Sequence, residues 1–249
     1  MSVNKTKRIL ALFDIDGTLT ESRKQITSQM KEHMKKLANI ITVGVIGGSD
    51  MVKQIEQLGD DVLTSYKYSF SENGLIAYCE GKLLNSQTFI EYIGNDNYKI
   101  FINDVLRYLS EIDIPVKRGT FVEFRSGMIN ISPIGRSCSP DERNAFEEYD
   151  KIHNIRDKMI QYLQEKYSHL KLKYSIGGQI SFDVFPIGWD KTYCLQFIDF
   201  SHYDEVHFFG DKTHEGGNDY EIFTHPKIIG HTVSSPKDTE EITKNLWLN

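Results

Sequence analysis

Hydrophobic residues in the first 60 positions fall into short continuous runs separated by segments with helical spacing. The runs at 8–13 and 40–46 predict two buried parallel strands. Apolar residues three and four apart predict a helix over 27–39, and a second helix should follow the second strand. This alternation of strand and helix is typical of a parallel sheet with helices on its faces.

From about residue 86 the pattern changes, because short apolar strands now occur in pairs with helical segments between them. Gly177 and Gly178 separate the members of one pair and are a strong hairpin signal. The predicted strands of this region are 120–125, 128–132, 170–176 and 179–185, and its helices are 96–112 and 141–167. Beyond residue 188 the first pattern returns, with strands at 205–209 and 228–233 and a helix at 236–247.

We therefore predict an α/β fold with a Rossmann-like parallel-sheet core made of residues 1–85 and 189–249. A cap domain, residues 86–188, is inserted into it as an α+β module with an antiparallel sheet plus helices. In parallel sheets, ligands bind beyond the carboxyl ends of the strands. Chemistry is therefore expected in the polar segments that follow the strands of the core.

Asp14-Ile15-Asp16-Gly17-Thr18 follows the first strand and is the strongest chemical signal. Two carboxylates at this spacing can divide the work of phosphoryl transfer. Asp14 can attack phosphorus, and Asp16 can give or take a proton on a sugar oxygen. The alternative is an ordinary acidic turn, which the preceding apolar strand and the complete DxDGT motif make the minor interpretation.

Gly210-Asp211 follows a later predicted strand and opens a loop rich in glycine and aspartate. Mg²⁺ prefers oxygen ligands, usually one or two carboxylates together with phosphate and water. Asp211 can thus complete a metal site begun by Asp14, and Asp219 could hold a water of that site or the ammonium of Lys191. A loop without chemistry is the alternative.

Two further candidates depend on their context. Ser49 follows the second strand, where its hydroxyl can bind a phosphoryl oxygen; taken alone, it is better explained as a helix N-cap. Lys191 follows a probable helix cap, Asp190, and a buried ammonium there could neutralise phosphate charge. Taken alone, it is better explained as a solvated surface lysine.

The cap is predicted to carry a polar sheet face. Period-two alternation places Arg125 beside Glu123 on one strand and Ser181 beside Asp183 on another. Guanidinium groups bind phosphate and a carboxylate accepts ring hydroxyls, so this face suits a phosphorylated sugar. Surface ion pairs are the alternative, and spacing alone slightly favours them. Further arginine candidates are Arg118, Arg136 and Arg143, with Arg23 close after the first motif.

Charge and composition narrow the classes of partner. The chain has 29 basic and 35 acidic side chains, and a net charge of −6 argues against a nucleic-acid or anionic-membrane binder. A small anionic substrate remains compatible with a local basic pocket. No apolar run reaches the length of about 18 residues that a membrane span needs. Three widely spaced cysteines indicate free thiols and a cytoplasmic location.

The order DxDGT, GGSD, Lys191 and GDKTxxGGND resembles the haloacid-dehalogenase-like phosphotransferases. Longer strings are similar to the eukaryotic phosphomannomutases, and the likeness covers core and cap. They read RGTFVEFR at 118–125, NISPIGRSCS at 130–139 and SIGGQISFDVFP at 175–186.

This resemblance implies a role for each candidate. Asp14 becomes the aspartyl-phosphate, Asp16 is the general acid and base, and Lys191 supports the transfer. Mg²⁺ is bound by Asp14, by Asp211 and by the backbone carbonyl of Asp16. Ser49 joins the side chains that bind the sugar phosphate, which are Arg23, Arg125, Arg136, Arg143, Ser181 and Asp183.

The implied reaction converts mannose 6-phosphate into mannose 1-phosphate for GDP-mannose synthesis. A hexose 1,6-bisphosphate loads the enzyme as activator, and closure of the cap excludes water. A homodimer through the cap, near Phe121, is also implied. Where the family commonly has aspartate and threonine, this chain has His225 and Ile228, which argues against a second, structural cation site in that loop.

Two other functions stay open on the motifs themselves. A sugar-phosphate phosphatase would use the same aspartyl-phosphate, although an arginine-rich cap favours a mutase that must hold two phosphates in turn. A non-catalytic binding protein is the third hypothesis. The complete set of Asp14, Asp16, Lys191 and Asp211 argues against it.

Overall fold

The computed structural model of the chain describes residues 7–248, and these divide into two units. The first unit contains the residues up to Ser86 and those from Gly188 onward. The second unit is the continuous segment Gln87–Ile187. Each unit has its own sheet.

The core unit begins with the alternating strands and helices that the apolar pattern predicts. Its strands are β1 (Ile9–Phe13), β2 (Thr42–Ile46), β3 (Tyr68–Ser71), β4 (Ile76–Cys79) and β5 (Lys82–Ser86), and its helices are α1 (Ser28–Ala38), α2 (Met51–Leu58) and α3 (Val62–Ser65). Thr27 caps α1 and Asp50 caps α2 with side-chain oxygens. Strands β3 to β5 were not predicted, because they are short and β5 is largely exposed at the sheet edge.

The second unit is an α+β module. Its elements are α4 (Phe89–Ile93), α5 (Asn95–Glu111), β6 (Val122–Phe124), β7 (Ile129–Ile131), α6 (Pro140–His153), α7 (Ile155–Lys166), β8 (Leu172–Gly177) and β9 (Ser181–Pro186). The strands form an antiparallel sheet in the order β6-β7-β9-β8. The helical stretch predicted over 141–167 consists of two helices, because Asn154 adopts a left-handed conformation (φ 51°) that ends α6 and starts α7.

The chain then returns to the core unit. A 3₁₀ helix, Lys191–Phe197, precedes β10 (Glu205–Gly210), α8 (Tyr220–Phe223), β11 (Ile229–Thr232) and α9 (Pro236–Thr243). The last helix is shorter than predicted, because the α-helical hydrogen bonds give way to a π-helical turn at Lys244–Leu248.

The core sheet has the order β11-β10-β1-β2-β3-β4-β5 and is parallel from β11 to β3. Strands β4 and β5 add an antiparallel edge. Leu10 to Phe13 of β1 are fully buried, because apolar clusters lie on both faces of this central strand. The α/β core and the separate antiparallel sheet with helices confirm the predicted fold class.

None of the helices within residues 7–248 combines the length and the apolar character that a membrane span requires.

Candidate active site

The carboxyl ends of β1, β2 and β10 lie side by side at the centre of the core sheet. Asp14 follows β1, and its backbone N–H donates to Phe209 O at 2.9 Å, which continues the pairing with β10 by one residue. Asp211 follows β10, and Ser49 lies just beyond the end of β2. The sheet order thus brings together segments that are far apart in the sequence.

Lys191 is buried between two carboxylates. Its Nζ donates to Asp14 Oδ1 and to Asp219 Oδ1, and the three side chains are almost completely buried. Asp190 fixes the start of the 3₁₀ helix by accepting from the backbone N–H of Thr192 at 2.9 Å. The surface-lysine interpretation is therefore wrong, because Lys191 is buried and its ammonium is paired with two buried carboxylates.

Burial controls the charge states of this group. It raises the pKa of the Asp14 carboxyl to about 6, with Lys191 opposing the rise and Asp219 adding to it. Burial alone would lower the pKa of Lys191, but the two carboxylates outweigh it and the pKa of the ammonium is raised. Burial likewise raises the pKa of Asp211, opposed by Lys212 and reinforced by Asp219.

The donor set fits a divalent cation. Carboxylate oxygens of Asp14, Asp211 and Asp219 lie within 4.8 Å of one another, the one cluster of its kind within residues 7–248. Asp211 Oδ1 is buried without a hydrogen-bond partner. The two Asp219 oxygens, by contrast, each have a donor: Oδ1 accepts from Lys191 Nζ, and Oδ2 accepts from the backbone N–H of Lys212. Three carboxylates face a single ammonium, so an oxygen-preferring cation such as Mg²⁺ matches both the charge and the orphaned oxygen.

Gly17 makes room for Asp211. A Cβ atom at Gly17 would lie 2.5 Å from Asp211 Oδ2, and the residue has φ +78°, a conformation that glycine adopts without strain. The DxDGT motif therefore needs glycine at this position for two reasons: the turn itself and the close approach of Asp211 at the end of β10.

Asp16 is held by one of its two oxygens. Asp16 Oδ1 accepts from the backbone N–H of Arg23 at 2.6 Å and from Gln57 Nε2 at 2.9 Å. Gln57 was not among the predicted site residues, although Gln54 and Gln57, two amide residues three apart on the buried face of α2, were an available signal. The Arg23 side chain is exposed, and its backbone amide makes the contact with Asp16.

A cavity of about 120 Å³ opens at these strand ends. Ser49 lines it beside Asp14 and Asp16. The helix-cap interpretation of Ser49 was wrong, because the neighbouring Asp50 caps α2 and accepts from the N–H of Lys53. Two lining residues that the sequence analysis did not propose are Lys212 and Asn218.

In the second unit, a polar cluster surrounds Asn130 on the antiparallel sheet. Asn130 Nδ2 donates to Asp183 Oδ1 at 2.7 Å and to Ser181 Oγ at 3.0 Å, and its Oδ1 accepts from Arg136 Nη1 at 2.7 Å. Asn130 pairs with Asp183 in the β7–β9 register, which explains why these side chains share a face. Asn130 is the organising residue, and the sequence analysis did not single it out.

The remaining arginines of this unit differ in their contacts. Glu123 accepts from Arg125 at 2.8 Å and from Arg136 at 2.9 Å. Arg143 donates to Arg136 O at 2.9 Å and so adjoins the cluster. Arg118 instead pairs with Glu142, so for this residue the ion-pair interpretation describes the structure.

A buried ion pair supports the loop before Ser181. Arg156 Nε donates to Asp150 Oδ2 at 2.6 Å across the break between α6 and α7. Arg156 Nη1 also donates to the backbone carbonyls of Gly178 and Ser181 at 2.8 and 3.1 Å. The helix break therefore fixes the turn from which Ser181 enters β9.

The comparisons with known proteins agree with one another. The sequence model described as eukaryotic phosphomannomutase matches residues 30–249. A phosphomannomutase of Triticum aestivum is 58% identical over 248 residues and covers 100% of this chain and 99% of its own. A phosphomannomutase of Arabidopsis thaliana is 55% identical over 246 residues, covering 98% of this chain and 99% of its own.

Solved structures share the fold at low sequence identity. A trehalose-6-phosphate phosphatase of Aspergillus fumigatus has a TM-score of 0.61 at 14% identity, over 96% of this chain and 92% of its own. An IMP-nucleotidase of Plasmodium falciparum has a TM-score of 0.59 at 16% identity, over 96% of this chain and 66% of its own. These likenesses concern the architecture of the chain.

Proposed function

The chain belongs to the eukaryotic phosphomannomutase family, and from that premise we propose that it interconverts mannose 6-phosphate and mannose 1-phosphate through an aspartyl-phosphate on Asp14. Its homologues support an enzyme of this kind. The observation that carries the mechanism is the buried contact of Lys191 with Asp14, beside an Asp16 carboxylate held by a single oxygen.

The proposed first step transfers a phosphoryl group from a hexose 1,6-bisphosphate. An oxygen of Asp14 attacks phosphorus, the bond between phosphorus and the sugar oxygen breaks, and Asp16 gives its proton to that oxygen. Lys191 remains against Asp14 and neutralises charge as it accumulates. The hexose monophosphate leaves, and mannose 6-phosphate can take its place.

The second step passes the phosphoryl group to mannose 6-phosphate, whose free hydroxyl at C1 loses its proton to Asp16 and attacks the phosphorus of the aspartyl-phosphate. The bond from phosphorus to Asp14 breaks, and mannose 1,6-bisphosphate forms. This bisphosphate turns round and repeats the first step with its 6-phosphate: Asp14 takes the phosphoryl group, Asp16 returns the proton to O6, and mannose 1-phosphate leaves. Asp14, Asp211 and the backbone carbonyl of Asp16 would hold Mg²⁺, which when bound neutralises charge on the transferred group.

The polar cluster of the second unit is proposed to bind the substrate's other phosphate and its hydroxyls. Glu123 and Asn130 orient the guanidinium groups of Arg125 and Arg136, which limits the rotamer entropy lost on binding. We assign phosphate binding to Arg125, Arg136 and Arg143 with Arg23 and Ser49, and hydroxyl binding to Ser181 and Asp183.

We also propose where the product is used, where the protein is located and how it assembles. The product would supply GDP-mannose synthesis, and the free thiols of Cys79, Cys138 and Cys194 support a cytoplasmic location. The chain is proposed to dimerise through its cap near Phe121, in a segment where Phe124 is 51% exposed. A sugar-phosphate phosphatase remains the competing function, since water can replace the sugar hydroxyl as acceptor.

One assay separates these functions. Purified protein is incubated with Mg²⁺, mannose 1-phosphate and a trace of glucose 1,6-bisphosphate, and both mannose 6-phosphate and free phosphate are followed. Mannose 6-phosphate without free phosphate is expected. Free phosphate as the main product would replace the mutase by a phosphatase, and no product from folded protein would leave a binding role.

Asp14→Asn is the matched control for this assay. The amide has the same shape as the carboxylate and leaves Lys191 paired with Asp219. The variant should fold, as circular dichroism would check, and should form neither product. Residual turnover of either kind would remove Asp14 from its proposed role.

A further inference from the structure

Gln57 makes the one side-chain contact to the carboxylate of Asp16 among the hydrogen bonds described within residues 7–248. Gln57 Nε2 lies 2.9 Å from Asp16 Oδ1, and the backbone N–H of Arg23 donates to the same oxygen at 2.6 Å. Asp16 Oδ2 accepts no hydrogen bond from the described part of the chain. The two donors therefore distinguish the two oxygens of one carboxylate.

The amide group is itself held in place. Gln57 is 9% exposed on the inner face of α2, and its backbone carbonyl accepts from the Ile26 N–H at 2.7 Å. Nε2 also lies 3.4 Å from Thr20 Oγ1 and 3.5 Å from Lys24 O, long contacts to the segment that follows the DxDGT motif. Helix α2 thus supplies a fixed point for that segment and for the Asp16 side chain.

We propose that Gln57 is a positioning residue for phosphoryl transfer. This role rests on the proposed function, in which Asp16 protonates the departing sugar oxygen. The amide of Gln57, together with the backbone N–H of Arg23, occupies Oδ1 and leaves Oδ2 as the oxygen that exchanges a proton with the sugar. A glutamine with a purely structural role could donate its hydrogen bond to any buried acceptor. Gln57 instead donates to one particular oxygen of the acid–base residue, Asp16 Oδ1.

Two phosphoryl donors with different leaving groups distinguish a positioning role of Gln57 from a purely structural one. With glucose 1,6-bisphosphate, Asp14 forms a bond to phosphorus, and the sugar oxygen leaves with the proton from Asp16. With p-nitrophenyl phosphate, the same bond forms, but p-nitrophenolate leaves as a stable anion that needs no proton. Loss of acid positioning should therefore slow only the first reaction, while damage to Asp14, Lys191 or the metal site should slow both.

The test measures single-turnover phosphorylation of the Mg²⁺-loaded enzyme from each donor. In Gln57→Met, which keeps the size but removes the donor, transfer from the bisphosphate should fall about tenfold or more, because general acid catalysis contributes about 10²–10⁴-fold. Transfer from the aryl phosphate should stay within about twofold of the original rate. Asp16→Asn should remove any further effect of the Gln57 substitution.

Gln54→Met is the matched control. Gln54 lies one helical turn before Gln57, is fully buried and donates to Phe70 O at 2.5 Å, with no contact to Asp16. Its substitution should leave the ratio of the two rates unchanged. If Gln57→Met fails to fold, Gln57→Leu provides the same comparison, because its side chain is also apolar and donates no hydrogen bond.

The outcomes are distinct. The positioning role would be overturned if the Gln57 variants slowed transfer from both donors equally. It would also be overturned if the rate with the bisphosphate, relative to the rate with the aryl phosphate, did not fall in either variant. Both results would leave the mutase function intact. Absence of any phosphoryl transfer from the bisphosphate to the unsubstituted enzyme would overturn the proposed function, and the positioning role with it.

Discussion

Single residues of the core site are constrained by contacts between strand ends. Gly17 touches Asp211, which lies almost 200 positions later in the chain, and a methyl group would displace that carboxylate. Its positive φ adds a second requirement, because other residues are strained there. A single position thus couples the first motif to the proposed metal site.

Gly17→Ala should lose Mg²⁺ affinity and activity together, since the new Cβ displaces Asp211. The control is Gly94→Ala, which has a similar φ of +77° but no atom within 4 Å of its Cβ position. Both variants should lose about 1–3 kcal/mol through backbone strain. Mg²⁺ titration calorimetry and urea unfolding separate the two effects, and equal Mg²⁺ affinity in both variants would contradict the steric argument.

Lys191 is the next residue with a measurable role. Lys191→Met leaves Asp14 and Asp219 buried without their cation, so we expect a loss of about 3–5 kcal/mol in unfolding free energy without Mg²⁺. Urea unfolding measures it. Lys24→Met, at an exposed ion pair, should change stability by less than about 1 kcal/mol. A similarly small loss in Lys191→Met would show that the buried ion pair does not stabilise the fold.

Mg²⁺ binding should depend on pH in this site. Because burial raises the pKa of Asp14 to about 6, the carboxyl is partly protonated near that pH and must lose its proton to bind the cation. Affinity should fall as the pH drops through about 6. Calorimetry in two buffers of different ionisation enthalpy should detect proton release at pH 6 and none at pH 8, and equal release at both would exclude Asp14 as the titrating ligand.

At the scale of elements, two histidines join β10 and β11. His207 Nδ1 lies 2.9 Å from His231 Nε2, and the His231 ring stacks on Phe209 with centroids 4.3 Å apart. Burial, then the neighbouring His207, lowers the pKa of His231 to about 4. The folded chain therefore keeps His231 neutral at pH values where an unfolded histidine takes up a proton.

The lowered pKa of His231 makes the free energy of unfolding depend on pH. At pH above 6.5 both folded and unfolded His231 are neutral, and between 6.5 and about 4 the unfolded state alone gains the proton. Unfolding free energy should therefore decrease over this window as the pH falls. Urea unfolding at pH 7.5 and 5 should show a smaller decrease in His231→Gln, whereas the exposed control His202→Gln should behave as the original. An unchanged decrease in His231→Gln would contradict the assignment.

At the scale of the whole molecule, the proposed dimer makes the sharpest prediction. Sedimentation should give twice the chain mass of 28.8 kDa. Phe121→Arg should shift the molecule toward the monomer, because a charge cannot be buried in an apolar interface without a partner. Ile152→Arg, at a residue of the same unit that is 74% exposed, should leave the mass unchanged. Identical masses for both variants would place the interface elsewhere.

Much of the architecture was predictable, because periodicity is a local property of the chain. Apolar runs and helical spacing indicated β1, β2, α1 and the paired strands of the second unit. Local patterns failed where a single residue or an edge decided the outcome, as at Asn154 and in the exposed strand β5. Neither feature changes the periodicity of its surroundings.

The sequence by itself determined which residues follow the central strands, and so it identified Asp14, Asp16 and Asp211 as candidates for one site. Only the tertiary structure decided which atoms meet: that Lys191 lies between Asp14 and Asp219, that Asn130 joins Arg136 to Asp183, and that Gln57 reaches Asp16. The physical reason is that helical spacing defines the buried face of α2, whereas the partner of a buried amide 41 residues away depends on how the helix packs against the sheet.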